Sequence, residues 1–581
     1  MPSLTQRLLH SLPFRSSPLS PSPHAAEPGL RHPGWVVLWI STWMGVVCNV
    51  PLWRELMNLN ADGGAKAWAF MAAFLVVIIA GNAALLALLA WRWTLKPAAT
   101  LLVLMAAFGA YFMLAYGIAI DASMLTNVLQ TDVKEAGDLL NWRLPVTVGA
   151  LAVPPLVWLA RQKVRPLPAL KQGMHNGGMV LGALALAVCS ILLVFQTFAS
   201  TMRNHTQLRY LINPLNSVYA LGNLATKPLR MDTSKILPLG RDAQLGASYA
   251  GQSQPPLLVL VLGETGRAGN FAINGYGRPT TPELSARKDL INLQNAWSCG
   301  TSTAASVPCM FSHLGRSDYE SRKANYESLM DVLQHAGLAV LWLDNQSGCK
   351  GVCDRVTNTN TSGLDDPELC PSKGECLDAI MLKDLDQRLA QLPAEQRQRG
   401  TVIVMHQMGS HGPAYFKRSA AARKPFQPEC TSTALQECAR DTVVNAYDNS
   451  IVETDHFLGS VLKWLEAKEK QAQPAMIYVA DHGESLGENN IYLHGLPYSI
   501  APDVQKHVPW INWLSPSLQT RMGMTTSCLQ QKLTDQRITH DQYFHSVLGL
   551  MDVQTSAYRP EWDMFASCKS QASAGTPAKQ G

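Results

Sequence analysis

Charge is scarce in this chain of 581 residues, because only 16% of them are Asp, Glu, Lys or Arg. Five stretches near the N-terminus contain no charged residue at all, namely 35–53, 67–90, 98–120, 144–160 and 178–199. A helix needs about 20 apolar residues to cross the core of a bilayer, so each stretch is long enough, although 144–160 is short. Five such stretches in series disfavour the alternative of buried helices in a soluble protein. We therefore expect five membrane spans.

A secretory leader is also missing. Before Trp35 there is neither an apolar core nor a small-residue cleavage site. Residues 1–34, which are rich in Ser, Pro and His, are therefore expected to form a cytoplasmic tail. The stretch 35–53 is then an uncleaved anchor.

Positive charge is missing from alternate loops between the predicted spans. Segment 60–66 is nearly neutral and segment 121–142 is acidic, whereas Arg and Lys cluster before the first span and in the other two loops. Because positive loops stay in the cytoplasm, the N-terminus is expected inside and everything after the fifth span outside. The net charge of +5 follows from this topology and gives no indication of nucleic-acid binding.

Ten of the twelve cysteines lie outside the predicted spans. Eight of them form four close pairs in the external part: Cys299 with Cys309, Cys349 with Cys353, Cys370 with Cys376 and Cys430 with Cys438. Paired spacing in an exported domain indicates disulfides, although Cys349 and Cys353 could instead bind zinc. The sequence leaves Cys528 and Cys568 unassigned.

The chain after residue 255 has a different pattern. Short β-rich apolar runs at 257–262, 338–343, 401–405, 476–479 and 508–513 alternate with stretches of helical spacing at 326–335, 378–392 and 442–465. Such alternation predicts an α/β domain with a mainly parallel sheet covered on both faces. We expect membrane spans over 35–200, amphipathic interfacial helices and a linker over 201–255, this domain over 256–570, and a tail over 571–581.

Acidic and imidazole side chains follow four of the predicted strands. These residues are Glu264, Asp344, His406 with His411, and Asp481 with His482, and His494 follows soon after. The carboxyl ends of parallel strands meet at one edge of a sheet, where ligands bind. One such pair alone is typical of a solvated loop, but together they indicate a metal site, and Asp, Glu and His suit zinc. A metal there could support chemistry on phosphate groups.

Segment 299–309 encloses four hydroxyls, those of Thr301, Ser302, Thr303 and Ser306, between two cysteines. It could be a surface turn stapled for stability, or it could carry a nucleophile. An alcohol nucleophile at neutral pH needs activation, which a nearby metal supplies. Elsewhere, Asn127, Thr131 and Glu135 recur at steps of four and would share one helical face, which could also be simply solvated.

Several ordered motifs run along the chain. They are G-E-T at 263–265, N-G-Y at 274–276, C-G-T-S-T-x-x-S-V-P-C-M at 299–310, D-N-x-S-G-C-K-G at 344–351, H-Q-M-G-S-H-G-P at 406–413, N-A-Y-D-N at 445–449 and D-H-G-E-S-L-G-E-N at 481–489. Together they resemble the lipid A phosphoethanolamine transferases, which include the mobile colistin-resistance enzymes. The resemblance spans nearly the whole chain and implies the fold of the alkaline phosphatase and sulfatase superfamily.

The resemblance implies a role for each matching residue. Thr303 matches a nucleophile that becomes phosphoethanolamine-threonine, and together with Glu264, Asp481 and His482 it would hold a tightly bound zinc ion. The remaining matches are His411 and His494 near a second zinc ion or the incoming phosphate, Lys350 at the substrate, and Asn127, Thr131 and Glu135 at the lipid headgroup. A disulfide between Cys299 and Cys309 would hold the nucleophile rigid. Gln346, where some relatives have Asn, is assigned no role.

The implied function is transfer of phosphoethanolamine from phosphatidylethanolamine to a phosphate of lipid A, with polymyxin and colistin resistance as its consequence. Both lipids would be met in the outer leaflet of the Gram-negative inner membrane, by a monomer with a periplasmic catalytic domain. Three alternatives remain open: another acceptor such as a lipopolysaccharide core sugar, a sulfatase-like phosphodiester hydrolase, and a non-catalytic membrane scaffold. The C-x-P-x-R motif of sulfatases is missing from segment 299–309, which we call the hydroxyl loop, and this disfavours a sulfatase.

Overall fold

The structure is a computed structural model that describes residues 30–59, 63–130, 133–371 and 375–569. For 133–135, 229–230 and 233–234 it describes the backbone only. The predicted C-terminal tail 571–581 and all but the last five residues of the predicted N-terminal tail 1–34 lie outside this range.

The N-terminal part is helical. Its helices are α1 (Pro33–Val46), α2 (Val50–Leu59), α3 (Ala65–Leu88), α4 (Leu95–Tyr116), α5 (Ala122–Gln130), α6 (Val133–Leu139), α7 (Arg143–Arg161), α8 (Ala169–Leu193), α9 (Phe195–Asn204) and α10 (Leu215–Arg230). In the described chain four helices, α3, α4, α7 and α8, are long and apolar enough to cross a membrane, and the bent pair α1 and α2 can count as a fifth. The first predicted span is thus not one straight helix.

The bend between α1 and α2 is 51° and has a polar cause. Asn49, buried at the break, donates a hydrogen bond to the Met44 carbonyl of α1 and another to the Asn213 carbonyl, at 2.8 and 2.5 Å. The Asn213 backbone N–H donates back to Asn49 Oδ1 at 2.9 Å. The break therefore exchanges helical hydrogen bonds for contacts with the segment that precedes α10.

The C-terminal domain is built on one sheet of eight strands. The strands of the described chain are β1 (Leu30–Arg31), β2 (Lys163–Val164), β3 (Asp232–Leu237), β4 (Gln244–Leu245), β5 (Pro256–Gly263), β6 (Ile291–Trp297), β7 (Ala324–Tyr326), β8 (Ala339–Asp344), β9 (Thr357–Asn360), β10 (Thr401–His406), β11 (Gln473–Ala480), β12 (Ser485–Leu486), β13 (Tyr492–Leu493), β14 (His507–Leu514), β15 (Ile538–Thr539) and β16 (Val553–Gln554). The order in the eight-stranded sheet is β15-β6-β14-β11-β5-β10-β8-β9. The five predicted strands are β5, β8, β10, β11 and β14.

Strands β11, β5, β10, β8 and β9 run parallel side by side, which confirms the predicted sheet. Only β14 is antiparallel to its neighbours β11 and β6 within this sheet as described. The register aligns Ala480 with Gly263 and His406 with both Leu262 and Asp344. The residues that follow four strands therefore meet at a single edge.

Helices cover both faces of this sheet. They are α11 (Pro282–Ser285), α12 (Thr303–Met310), α13 (Arg316–Ser321), α14 (Leu329–His335), α15 (Leu385–Ala390), α16 (Ala394–Arg399), α17 (Arg440–Lys468), α18 (Pro516–Met522), α19 (Thr526–Leu533) and α20 (Tyr543–Leu550). The predicted helical stretch 442–465 is α17, whereas 378–392 divides into a 3-10 turn and α15. Apolar clusters fill the space on each side of the buried strands.

The segment predicted as a linker pairs with the sheet domain. Strand β3 lies parallel to β7, and β4 pairs with β16 in antiparallel fashion. The chain that leaves α10 is thus hydrogen-bonded to two points of the C-terminal domain.

The cysteines form five disulfides, which include the four predicted pairs. Because Cys349 and Cys353 are bonded to each other, the alternative that they bind zinc is wrong. The fifth disulfide joins Cys528 to Cys568, the pair that the sequence left unassigned.

Candidate active site and metal centre

The hydroxyl loop runs into α12, whose first residue is Thr303. The Cys299–Cys309 disulfide ties the start of the loop to the end of the helix. Gly300 makes this tight path possible, because a Cβ there would lie only 2.9 Å from the Ala305 Cβ atom and from the Ser306 backbone nitrogen. The loop and the first turn of the helix are therefore one compact unit.

The hydroxyls of this unit point in different directions. Thr303 Oγ1 lies 3.1 and 3.2 Å from the two carboxylate oxygens of Glu264 and 3.4 Å from His482 Nε2. Thr301 instead donates to the Leu496 carbonyl at 2.6 Å, and Ser306 donates to the Asp481 carbonyl at 2.5 Å. Of these three hydroxyls, Thr303 is the one that faces the acidic edge of the sheet.

Glu264, Asp481 and His482 form a compact group at that edge. One ligand atom from each lies within 4.8 Å of the others, and all three residues are buried. His482 Nε2 is 3.4 Å from Glu264 Oε1 and 3.4 Å from Asp481 Oδ2. The proximity follows from the fold, since Glu264 comes directly after β5 and the other two come directly after its neighbour β11.

The electrostatics of this group are those of two carboxylates forced together away from water. Burial raises the pKa of Asp481 to about 6, and the adjacent Glu264 carboxylate adds to the increase. Burial opposes the ionised form of Glu264 as well, but the His482 imidazole outweighs it and lowers the pKa of Glu264. Burial likewise opposes a charged His482, yet the two carboxylates raise its pKa to about 10. A positive charge is therefore favoured at the centre of the group.

The donor set fits a metal ion. Asp481 Oδ2 is buried and has no hydrogen-bond partner among the described residues. His482 Nδ1 lies 2.9 Å from the Gly483 carbonyl, and a proton on Nδ1 leaves the Nε2 lone pair for the centre. Two carboxylates, one imidazole and the Thr303 hydroxyl make four donors of the types that zinc accepts in tetrahedral sites.

His494 and His411 lie beside this group. The His494 ring is 4.4 Å from the His482 ring and 5.5 Å from the His411 ring, measured between centroids. His494 Nδ1 is 3.1 Å from Glu484 Oε2, and Glu484 is fully buried. A buried carboxylate of this kind fixes the ring orientation and directs the other nitrogen to the site. Glu484 belongs to the motif at 481–489, but no sequence pattern pairs it with His494.

Asp344 and His406 converge on the same edge but bind each other. Their Oδ2 and Nδ1 atoms are 3.0 Å apart, and Trp342 Nε1 donates to the same carboxylate oxygen at 3.0 Å. Burial opposes a charged His406, but Asp344 outweighs it and raises the pKa of the imidazole. The four strand ends therefore supply one candidate metal group and, next to it, one paired Asp and His.

The residues predicted to contact lipid lie farther along the surface. Lys350 Nζ donates to Ser347 Oγ at 2.9 Å and lies 3.3 Å from the Gln130 carbonyl at the end of α5. Asn127 is on the same helix, three residues before Gln130. Thr131 and the side chain of Glu135 lie outside the described residues. Helix α5 ends at Gln130 and α6 begins at Val133, so a helical face shared by all three positions stays a prediction.

Sequence reasoning missed several groups that hold the site in place. His540 Nδ1 accepts a hydrogen bond from the Cys299 backbone N–H, and Nε2 lies at the same distance, 3.1 Å, from the Ala480 carbonyl. Burial lowers the pKa of His540 to about 3, so the ring is neutral and bridges the hydroxyl loop to β11. Asp378 similarly accepts bonds from the backbone N–H groups of Met408 and Gly409. His540 and Asp378 are distant in sequence from the segments that they contact, so no local sequence pattern predicts these contacts.

Two motifs quoted from the sequence have a structural role. Tyr447 of N-A-Y-D-N donates to the Thr265 carbonyl at 2.7 Å, directly behind Glu264. Asp448 accepts from Asn270 Nδ2, Tyr276 OH and Arg278 Nη1 at 2.7, 3.0 and 2.6 Å. Hydrogen bonds from the N-G-Y and N-A-Y-D-N segments therefore stabilise the turn that follows Glu264.

Comparison with known proteins shows similarity along both parts of the chain. Residues 78–229 match the family described as phosphoethanolamine transferase EptA/EptB, and residues 256–553 match the sulfatase family. The phosphoethanolamine transferase EptA of Escherichia coli (strain K12) is 34% identical over 546 residues, which cover 94% of this chain and 98% of that protein. The phosphatidylethanolamine transferase Mcr-1 of Escherichia coli is 37% identical over 80% of this chain and 84% of its own length.

A solved structure extends this similarity to three dimensions. The integral membrane protein lipooligosaccharide phosphoethanolamine transferase A (EptA) from Neisseria meningitidis superposes with a TM-score of 0.88 at 35% identity. The superposition covers 93% of this chain and all of that one, so it includes the membrane helices as well as the sheet domain.

Proposed function

The chain belongs to the phosphoethanolamine transferases related to EptA, and we propose that it moves phosphoethanolamine from phosphatidylethanolamine to a phosphate of lipid A with Thr303 as the nucleophile. The observation that carries this proposal is the position of Thr303 Oγ1, 3.1 Å from Glu264 and 3.4 Å from His482. The neighbouring hydroxyls of Thr301 and Ser306 are engaged by backbone carbonyls and are not free to react.

In the first step Thr303 Oγ1 attacks the phosphorus of phosphatidylethanolamine. Its proton passes to Glu264, and the bond between phosphorus and the diacylglycerol oxygen breaks. That oxygen leaves as a hydroxyl with a proton from His494, which Glu484 orients. Phosphoethanolamine is now an ester of Thr303, and splitting the transfer in two avoids a meeting of both lipids at one phosphorus.

In the second step an oxygen of a lipid A phosphate attacks the same phosphorus. The bond to Thr303 breaks, Thr303 recovers its proton from Glu264, and His494 takes the proton of the acceptor phosphate. The product carries a diphosphate linkage to ethanolamine, and all groups of the enzyme return to their initial state.

Glu264, Asp481, His482 and Thr303 are the proposed zinc ligands. When bound, a zinc ion lowers the pKa of a hydroxyl and offsets the negative charge of phosphate oxygens. His411 and His494 are proposed to bind the incoming phosphate or a second zinc ion. Lys350 adds positive charge near the substrate, whereas Asn127, Thr131 and Glu135 are proposed to contact the lipid headgroup, with Glu135 opposite the ethanolamine ammonium.

Both lipids can reach such a site from a membrane surface. We propose that 35–200 spans the inner membrane, that the N-terminus is cytoplasmic, and that the domain over 256–570 works in the periplasm as a monomer. Segment 201–255 would keep that domain against the outer leaflet, where both substrates reside. Resistance to polymyxins would follow from the added positive charge on lipid A.

Mass spectrometry of lipid A from a Gram-negative host that expresses the chain tests the proposal. We expect phosphoethanolamine on a lipid A phosphate with the wild-type chain and with the control Ser302→Ala, but none with Thr303→Ala. Modification by Thr303→Ala at the wild-type level would contradict the nucleophile. Phosphoethanolamine on a core sugar, or release of free phosphoethanolamine without modified lipid A, would replace the proposed acceptor or the proposed transfer.

A further inference from the structure

A cleft lies between helices α5 and α10 and the sheet domain. It is on the side of α12 that faces away from Glu264, Asp481 and His482. Its volume is about 880 Å³, a size typical of ligand sites. Helices α5 and α10 form one wall, and the opposite wall includes Ala304 and Ala305, which directly follow the nucleophile. We call it the interdomain cleft. Thr303 itself does not line it, so a ligand there would lie beside the reacting hydroxyl.

The interdomain cleft is rich in positive charge. Lys227 enters from α10, and Arg316, Arg322 and Lys323 enter from the sheet domain. A second cavity shares Lys227 and Arg322 with the first and adds Lys350. Arg355 also lines it but is paired with Asp331 at 2.6 Å, and Glu327 and Asp354 are further members of its lining. Cations from both parts of the protein therefore face one space.

Two carboxylates line the cleft against four cations. Asp121 Oδ1 accepts from the Ser123 hydroxyl and the Met124 backbone N–H at 2.7 and 2.8 Å, at the start of α5. Glu320 pairs with Arg316 at 3.0 Å. After that pair, Asp121 alone stands against Lys227, Arg322 and Lys323, so the cleft keeps an excess of positive charge.

Lys227, Arg322 and Lys323 have no carboxylate partner among the described residues. The Arg322 guanidinium binds neutral acceptors, the Tyr319 carbonyl at 2.7 Å and Asn325 Oδ1 at 3.3 Å. The pKa of Lys227 lies below its usual value because the surrounding protein removes water and because Arg322 repels the ammonium. Two like charges thus approach each other across the cleft without an anion between them, an arrangement that a bound anion would stabilise.

We propose that Lys227 and Arg322 bind a phosphate group of the acceptor lipid, with Lys323 at the rim of the cleft. Ammonium and guanidinium donors are the groups that proteins use for phosphate. Because this position lies beside Thr303, the bound phosphate is one that does not react. Phosphatidylethanolamine has a single phosphate, which must reach Thr303, so the second phosphate belongs to an acceptor that carries two.

The proposal rests on the proposed function for the identity of the lipid. Under it, the enzyme recognises a bisphosphorylated acceptor by holding one phosphate in the interdomain cleft while the other receives phosphoethanolamine. Under this proposal Lys227 and Arg322 do not contact the donor lipid, so their replacement separates acceptor recognition from donor recognition.

Steady-state kinetics of the full-length enzyme in detergent test this separation. For Lys227→Gln combined with Arg322→Gln we expect the KM for bisphosphorylated lipid A to rise about tenfold or more, because two charge-assisted contacts are lost. The release of diacylglycerol in the first half-reaction should stay within about twofold, which also shows that the variant is folded. Lys227→Arg keeps the charge and should raise the KM less than Lys227→Gln does. Lys288→Gln combined with Lys470→Gln, which removes two exposed lysines outside the cleft, is the matched control for the loss of two charges.

The second part of the kinetic test changes the acceptor lipid instead of the enzyme. Lipid A with a single phosphate should be used equally by the wild type and the double variant. Equal loss on both acceptors, an unchanged KM, or an equal loss in diacylglycerol release would overturn the proposal.

A binding measurement separates this proposal from the proposed function. Wild-type enzyme should bind phosphatidylcholine vesicles that contain bisphosphorylated lipid A more tightly than vesicles with the monophosphorylated form, and the double variant should lose that difference. This result would stand even if no transfer to lipid A were observed, in which case only the proposed function fails. Equal binding to both vesicles by the wild type would overturn the site.

Discussion

Helix α12 separates two surfaces of opposite charge. On one side, Glu264, Asp481 and His482 form a buried group that attracts a cation. On the other, Lys227 and Arg322 line a cleft in which neither has a carboxylate partner among the described residues, and we propose that they bind an anion. The first surface is closed and made by neighbouring strands, whereas the second is open and made by two parts of the chain. Chemistry and acceptor recognition are therefore assigned to different sides of one short helix.

The largest effect should come from the buried side. Asp481→Asn removes one charged ligand, so we expect zinc to be lost and transferase activity to fall about a thousandfold, since a metal contributes several kcal/mol to such reactions. Metal analysis of the purified variant together with an activity assay checks this. A variant that keeps full zinc would contradict the ligand role. Acceptor binding at the interdomain cleft should not change, which would show that the two surfaces act independently.

A smaller loss is expected for Glu484→Gln, which weakens the bond that orients His494. We expect kcat to fall about 10- to 100-fold while the zinc content stays at the wild-type level, as for other residues that orient a site from behind. Rapid kinetics with metal analysis distinguish the two quantities. Loss of zinc in parallel with activity would instead make Glu484 part of the metal group.

The disulfide that closes the hydroxyl loop should matter more for activity than for the fold. Replacing both Cys299 and Cys309 by Ala is expected to lower transfer about tenfold, because a displaced nucleophile loses its alignment. The matched control replaces Cys528 and Cys568, whose disulfide is not in the hydroxyl loop. That control should lower the thermal midpoint without a comparable loss of activity. Full activity after removal of Cys299 and Cys309 would refute a positioning role.

The smallest effect on activity should come from the hydrogen bond that joins α12 to the chain after β11. Ser306→Ala removes the bond to the Asp481 carbonyl, and one such bond is worth about 1 kcal/mol, or about fivefold in rate. A kinetic assay of both half-reactions checks this, since both use the position of Thr303. Loss of the second half-reaction alone would mean that Ser306 acts on the acceptor instead.

The buried metal group and the interdomain cleft also differ in how much of each could be predicted from the sequence. The buried group was predictable because parallel strands align their carboxyl ends, so residues that follow β5 and β11 had to meet. The apolar spans could also be predicted. The bend at Asn49 could not, because it depends on a hydrogen bond to Asn213, more than 160 positions away. Local patterns carry no information on such distant pairs.

The residues that support the site were not predicted either, because their partners are also distant in sequence. His540 reaches the hydroxyl loop from the far end of the domain, and Glu484 pairs with His494 only because the strands β12 and β13 fold back on each other. The interdomain cleft needs Lys227 from one part of the chain and Arg322 from another, and neither belongs to a motif. Motifs identified the chemistry, whereas the three-dimensional fold was needed to find what positions it and what binds beside it.

The central claim is that Thr303 carries phosphoethanolamine between the two lipids. Incubating the purified enzyme with phosphatidylethanolamine in the absence of lipid A, followed by peptide mass spectrometry, tests it directly. We expect a phosphoethanolamine adduct on the peptide that contains Thr303, localised to that residue, and its disappearance when lipid A is added. An adduct on Thr301 or Ser302, or active transfer with no adduct in the peptide, would contradict it.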